Sequence, residues 1–474
     1  MSNAEFRYVT TAIYQPKFLV TNVVSNSAHT QLTYTCDNTF TVGDLVTITG
    51  ATPSQFNKTN YAIISCNATS FTIASTSTGT FTGGGVATTY NKILSELPFT
   101  GVSFTQQLNS VGTFQGHVLL SGINSTRLNA YEGTIPGKTI LWVLYTDPES
   151  SPAVSIPVWS GVIWAREYDS SSQSLSISAQ EMMSLYNRRR INDTLDYSTT
   201  NYDPAYIAQS LMSYAEGLNH GNTGLTQNIA TTGYLTKKLY NDYELKSVYQ
   251  AIKDLAQNYF DFTIKPYIDF DTGKLINQFT IGTTTTPGVA PAPYGGFLGR
   301  VYSSTDPYAL MFQFPGNLIS YSFPEDASSA ANQLFGLGYG ANNSKIIAIS
   351  QDPTKIGFSP TADWPLLEDT ANFTDIGQLQ LLKDLTNGQQ KAISYPPTTI
   401  QIVIPPYIDP LFPTYSIGDE VRLDIKDDYF PSGISFGADN DPLRIVAITV
   451  EPGENGPSRV ILTLTRRLQA GDVS

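Results

Sequence analysis

Lys138-Thr139-Ile140-Leu141-Trp142-Val143-Leu144-Tyr145 and Val158-Trp159-Ser160-Gly161-Val162-Ile163-Trp164-Ala165-Arg166-Glu167-Tyr168 are two long runs dominated by β-branched and aromatic residues. Side chains of those types suit a pleated, half-buried surface, and the Asp, Pro and Ser residues between the runs are turn formers. The pair therefore predicts two strands joined by a reversal, with Trp142, Trp159 and Trp164 in the core of a barrel or sandwich. Working outward, residues 99–106, 113–120 and 174–178 predict further strands of the same domain. Residues 179–190 predict a helix that ends it.

Toward the N-terminus, residues 6–22 begin as an extended run. Between 23 and 90 Thr and Ser dominate and charges nearly vanish. Short alternating stretches at 31–36, 45–49, 61–66 and 70–74, set off by turn residues, predict a small all-β module inserted into the parent domain. Gly83-Gly84-Gly85 predicts a flexible exit from it. Toward the C-terminus the pattern turns helical. Asp203-Pro204 is a cap followed by proline at the first helical position, and Ile207, Leu211, Tyr214 and Leu218 repeat on one helical face. Asn241 and Glu244 stand in capping-box spacing before a stripe of Leu245, Val248, Ile252, Leu255 and Tyr259. Strands at 260–268 and 274–281 follow, completing an α+β unit. Beyond a Pro/Gly-rich bridge at 286–300 the sequence predicts strands at 310–314 and 318–323. It predicts helices at 325–334 and, capped by Thr374, at 374–385 with Ile376, Leu379, Leu382 and Leu385 inward. A β tail with strands at 398–404, 420–425, 444–450 and 459–465 closes the chain.

The 474 residues exceed one ordinary domain several times over. The formal charge of −13 opposes binding to a phosphate backbone, so sequence-specific recognition of nucleic acid is not expected. Only 14% of residues are charged while 12% are aromatic, a balance that favours sheets over charge-laced helices. The N-terminal residues lack a signal-peptide pattern, no apolar run is long enough for a membrane span, and synthesis in a cytosol is expected.

One internal echo is readable. Phe40-Thr41-Val42-Gly43-Asp44-Leu45-Val46-Thr47-Ile48 and Tyr415-Ser416-Ile417-Gly418-Asp419-Glu420-Val421-Arg422-Leu423 match in register, and the echo reads as a recurrent turn leading into a strand. Chemistry is harder to find. There is no Gly-x-Ser-x-Gly elbow, no His-Glu-x-x-His pair and no phosphate-binding glycine loop. His29, His117 and His220 read as structural or solvated. Asp424, Asp427, Asp428, Asp439 and Asp441 crowd together, as a glycosidase pair or a calcium site would require, yet they flank Pro and Gly and read as turn residues. Asp269-Phe270-Asp271-Thr272-Gly273 looks like half an EF-hand loop without its closing glutamate, and reads as a hairpin turn. Arg188-Arg189-Arg190 reads as a basic cluster at a helix end, facing solvent or a neighbouring subunit. Cys36 and Cys66 read as free thiols, with a disulfide open only if their strands pair. No catalytic, cofactor-binding or metal-binding residue is assigned, and no cofactor is expected.

Leu97-Pro98-Phe99-Thr100-Gly101-Val102-Ser103-Phe104, the Val158–Trp164 run, Phe314-Pro315-Gly316-Asn317-Leu318-Ile319-Ser320-Tyr321-Ser322-Phe323-Pro324-Glu325-Asp326, Ile417-Gly418-Asp419-Glu420-Val421 and Val450-Glu451-Pro452-Gly453 together resemble the minor tail proteins of long-tailed bacteriophages. More specifically, they resemble the tail hub, or baseplate hub, proteins of phages infecting actinobacteria. The 23–90 module resembles a small β-barrel repeat that decorates virion proteins. The resemblance implies a mainly β, multidomain chain, α+β overall. A first barrel would span 1–22 and 91–190, with the small all-β insert at 23–90. An α+β domain would span 191–300, a second barrel 301–345 and 393–474, and a helical or loop insertion 346–392. It further implies a non-enzymatic homotrimer at the virion tail tip. Six similar barrels there would adapt a six-fold tube to a three-fold end and let DNA pass on ejection. Its partners would be a distal tail protein ring, the tape-measure protein, and tail fibre or receptor-binding proteins. A carbohydrate-binding adhesin is the second reading, and a cell-wall hydrolase the third.

Overall fold

In a computed structural model the chain is mostly β. The structure describes residues 5–14, 16–89, 93–120, 130–146, 154–233, 235–270, 273–282, 298–303, 305–306, 309–358, 362–373, 377–394, 399–437, 443–453 and 458–466. Two compact units emerge, one of Met1–Leu298 with Thr449–Ser458, the other of Gly299–Ile448 with Arg459–Ser474.

The principal sheet of the first unit runs in the order Thr100–Gln107, Thr113–Leu119, Ser174–Glu181, Ser155–Asp169, Thr139–Thr146, Glu5–Ala12, Ile93–Glu96. The two opening runs pair antiparallel as expected, with Val143 opposite Trp159. Trp142 and Trp159 are fully buried. A buried indole N–H needs a partner, and all three tryptophans have one. Trp142 donates to Thr11 Oγ1 at 2.8 Å, Trp159 to the Thr105 carbonyl at 3.0 Å and Trp164 to Ser184 Oγ at 2.8 Å. Ile93–Glu96, the edge strand, and Thr100–Gln107, which carries a further strand on its other side, are consecutive in the chain and joined through Leu97-Pro98-Phe99. The helix expected at 179–190 shrinks to Met183–Tyr186, because residues 174–181 keep strict in-out alternation up to a buried Glu181.

Against this sheet lies an α+β layer whose apolar residues share one core with it. Helix Pro204–Gly217 starts where expected, with the Asp203 carboxylate accepting the Ala205 N–H at 2.8 Å. Ile207 and Leu211 are buried, while Tyr214 is only half-buried. The second helix begins later than the Asn241 capping box predicts. Asp242–Glu244 forms only a short 3-10 turn, and Leu245 takes a left-handed φ of 43°, which no helix continues through. Ser247 then caps Val248–Tyr259. Leu245 is consequently exposed rather than inward, and the Tyr259 side chain lies outside the described residues. Phe262–Asp269 and Lys274–Ile281 form the expected hairpin. Two additions, Thr226–Ile229 parallel to its second strand and the Leu195–Tyr202/Thr236–Tyr240 pair, were not legible as strands.

Residues 18–89 of the same unit build a separate sheet in the order Phe18–Leu19, Gly83–Thr89, Leu45–Thr52, Lys58–Asn67, Ser70–Ala74, Gln31–Thr35, Asn22–Ser25. Its first and last members are successive pieces of one extended segment. Val20 N–H reaches the Gly85 carbonyl and Thr21 N–H the Thr35 carbonyl, both at 2.9 Å, so the sheet closes on itself. The interior is Leu32, Tyr34, Val46, Ile48, Phe56, Ile63, Phe71 and Ile73. Gly83-Gly84-Gly85 is not an exit but the start of a paired strand. A Cβ on Gly84 would fall 2.5 Å from the Gly50 carbonyl oxygen, an approach only glycine permits.

In the second unit one sheet runs Ser320–Ser322, Thr399–Ile404, Arg459–Arg466, Leu443–Glu451, Glu420–Ile425, Leu310–Phe314. Its end strands, Leu310–Phe314 and Ser320–Ser322, are again consecutive in the chain, here joined through 315–319. The helix expected at 325–334 is absent. Gln333–Leu337 is instead the central strand of a three-stranded sheet with Ile347–Gln351 and Glu368–Asn372. Strands therefore occupy part of the stretch expected to hold only helix and loop. Helix Leu379–Ile393 extends eight residues past its expected end, with Leu382 and Thr386 buried and Leu379 exposed. Thr374 and Ile376 lie outside the described residues.

Candidate functional site

The residues singled out for chemistry are dispersed, and the ones that meet other groups are consumed in structural bonds. Asp427 closes a turn by accepting the Tyr429 and Phe430 N–H groups at 2.9 Å each, and the Tyr321 hydroxyl also donates to it. These donors hold its carboxyl below the usual carboxylate range. Asp424 accepts the Arg422 guanidinium at 3.0 Å, and Asp428 is exposed. Asp439 and Asp441 lie outside the described residues. Asp269 sits at a hairpin reversal, its carbonyl accepting the Gly273 N–H at 2.7 Å. Among the described residues no three His, Cys, Asp or Glu side chains gather as a metal site would require.

The three histidines occupy separate elements. His29 sits in a turn with Nδ1 3.3 Å from Ser25 Oγ. His117 lies on the Thr113–Leu119 strand, and the His220 ring tilts against Tyr14 at 4.9 Å. Cys36 and Cys66 are free thiols. Their strands do not pair with each other, because Ser70–Ala74 runs between them. Two strand spacings separate backbones by roughly 9–10 Å, beyond the roughly 7 Å that a disulfide spans.

Of Arg188-Arg189-Arg190, expected to face outward, Arg188 and Arg190 are exposed and Arg189 is not. Arg188 stacks on Trp164 and Arg190 bridges to Ser247, but Arg189 turns inward. Its guanidinium meets Glu216 Oε1 at 2.8 Å and the Ala215 carbonyl at 3.1 Å. The fully buried Tyr186 hydroxyl donates to the same carboxylate oxygen at 2.8 Å, and Thr223 N–H to the other at 2.8 Å. Burial first, then the Glu216 charge, push the Tyr186 phenol well above its ordinary value. This buried knot ties three chain segments together. Its signal is absent from the sequence because Tyr186 and Arg189 stand about 30 residues from the Glu216 they bind.

The repeated Gly-Asp turn is one device used twice. The Asp44 carboxylate accepts the Thr41 N–H at 2.8 Å while Asp44 N–H reaches the Thr41 carbonyl at 3.1 Å. Asp419 makes the same pair of bonds with Ser416, at 2.9 and 3.2 Å. Gly43 and Gly418 supply φ values of 93° and 94°, backbone that a Cβ disfavours. Asp419 additionally receives Arg300 N–H at 2.8 Å and its guanidinium at 3.2 Å.

On the outer face of the principal sheet the strand register sets His117 beside Ser176 and Ser176 beside Glu167, with Gln115 and Ser178 in the next row. These residues line a shallow groove of about 450 Å³. Hydroxyl, amide and imidazole groups, with the opposite charges of Arg166 and Glu167, make it a polar contact surface.

No protein-family model matches the chain, and no curated protein matches it. Among solved structures it is similar to a tail protein from Neisseria meningitidis (11% identity over 78% of this chain and 94% of that one, TM-score 0.48). It is similar also to a 43 kDa tail protein of prophage MuSo2 from Shewanella oneidensis (10%, 81% and 97%, TM-score 0.47). A prophage tail protein from Listeria monocytogenes matches at 14% identity over 78% and 90%, with a TM-score of 0.40. These neighbours are phage tail proteins, accompanied by hub-like components of baseplates and type VI secretion systems.

Proposed function

We propose that this chain is a structural hub protein of a bacteriophage tail tip, acting as a homotrimeric collar that joins a six-fold tube to a three-fold end. One observation carries the reading. The hub-like motif Leu97-Pro98-Phe99 carries the chain from the edge strand Ile93–Glu96 to Thr100–Gln107, six strands away in the order, and Phe314-Pro315-Gly316-Asn317-Leu318 joins Leu310–Phe314 to Ser320–Ser322, the outermost strands of the second unit's order. Strands far apart in the sheet order but linked directly by the chain have a natural route to barrel closure, and closed sheets hide the edges that would otherwise recruit foreign strands. Two such sheets per chain make six in a trimer, which suits a hand-over between six-fold and three-fold symmetry.

The rest of the molecule fits a part that works by shape. Asp427 is held in a turn and Asp424 pairs with Arg422, and the net charge of −13 keeps a passing DNA strand from adhering to the wall. The 18–89 sheet, with its own core, projects as an inserted decoration, and the α+β layer after residue 191 backs the first barrel. The partners are a distal tail ring, the tape-measure protein, and fibre or receptor-binding proteins.

Size-exclusion chromatography with mass measurement tests the reading, both alone and with the distal tail protein. A trimer is expected in at least the mixture. A monomer under both conditions that binds host glycan through the 115–178 groove would make the chain an adhesin instead.

A further inference from the structure

Glu181 is buried at the neck of the hairpin formed by Thr100–Gln107 and Thr113–Leu119. Its backbone N–H donates to the Gly112 carbonyl at 2.9 Å, and its carboxyl oxygen Oε2 accepts the Gly112 N–H at 2.6 Å. A second backbone N–H, from Gln107, also points to the carboxyl. The fit admits nothing larger, since a Cβ on Gly112 would fall 1.7 Å from the Thr105 carbonyl oxygen. The groups that the turn, the strand register and the chain place beside the carboxyl are neutral. They are Thr105 and Gln107 on the first strand, Gly112 in the turn, Gly161 across the sheet and Met182 leading into the short helix. From the same turn Asn109 Nδ2 donates to the carboxyl of the buried Asp261 at 2.7 Å. Asn109 in return accepts the Phe262 N–H at 2.7 Å, and Thr105 Oγ1 lies 2.8 Å from Thr449 Oγ1.

We propose that Glu181 and residues 107–112 form a proton-operated latch: with the carboxyl protonated the turn stays seated against Phe262, and when the proton leaves to solvent the turn lifts. An ionised carboxylate without a counter-charge is costly in a dry interior, and two N–H donors repay only part of that cost. Burial accordingly pushes this carboxyl up to about 8, the two backbone bonds opposing it. The sign follows. The closed form holds the proton up to about pH 8, whereas an opened, hydrated carboxyl releases it near pH 4.5, so rising pH favours opening across that window.

Hydrogen exchange of the full chain, read on peptides covering 104–114 at several pH values, tests this. With one linked proton, protection corrected for intrinsic exchange falls about tenfold per pH unit between roughly pH 5 and 8. Peptides from 45–52 stay level, and Glu181→Gln flattens the slope in 104–114. A level profile in the wild type, or an unchanged slope in Glu181→Gln, overturns the latch. If the variant does not fold, infrared spectra of wild-type protein carrying carbon-13 glutamate decide. A protonated carboxyl band that persists near pH 7 and vanishes near pH 9 supports the latch, and its absence near pH 7 refutes it.

Discussion

The closed sheet at 18–89 and the larger sheet around Trp159 both fill a curved β interior, with different materials. The small one relies on apolar and aromatic packing. Tyr34 stacks flat on Phe71 at 5.0 Å, and its hydroxyl is satisfied by the Phe56 carbonyl at 2.8 Å. The large one threads polar groups through its core. Ser160 Oγ donates to Asn277 Oδ1 at 2.5 Å across to the α+β layer, and Glu181 clasps the hairpin neck. An interior whose few buried hydrogen bonds stay within the module depends on little outside itself, whereas one stitched to a neighbouring layer shares its stability with whatever the bonds reach.

Breaking the largest side chains separates the two most sharply. Phe71→Ala and Trp159→Ala each remove a fully buried ring and are expected to cost about 3–5 kcal/mol. Calorimetry of Phe71→Ala should show an early transition confined to 18–89 with the main transition kept. Trp159→Ala should lower the main transition itself. Excising 18–89 with a short linker should likewise leave the main transition in place, and loss of soluble protein would count against autonomy of the small sheet. Next in size is Arg189→Met, which leaves Glu216 buried beside Tyr186 without its cation. A loss of about 3 kcal/mol in denaturant unfolding is expected, recovered in part by pairing it with Glu216→Gln. Smaller again is Tyr34→Phe, expected to cost about 1 kcal/mol because the Phe56 carbonyl loses its donor. Gly43→Ala and Gly418→Ala close the series at about 1 kcal/mol each. Equal costs for that pair would sharpen the reading of one turn used twice, and a cost at only one of them would break it.

The sequence made the local features legible and concealed those that depend on distant residues. The Trp142 and Trp159 strands, the Asp203 cap and the Asp269 hairpin each follow from composition within a dozen residues, and each is found where expected. The Asn241 spacing misled because Leu245 adopts a left-handed backbone that spacing does not reveal. Residues 325–334 read as helix although Leu334, alternating with half-exposed Phe335, belongs to a strand whose partners lie at 347–351 and 368–372. The Arg189–Glu216 knot and the Glu181 clasp were out of reach for the same reason. Their partners are 27 and 69 residues away, and no pattern links a buried acid to its donors.

A collar must encircle a central channel. Electron cryo-microscopy of intact virions, with this chain located by a tag at an exposed loop, measures that directly. Three copies related by a three-fold axis around an open channel at the tail end are predicted. A single axial copy, or copies placed along the side of the tube, would contradict it.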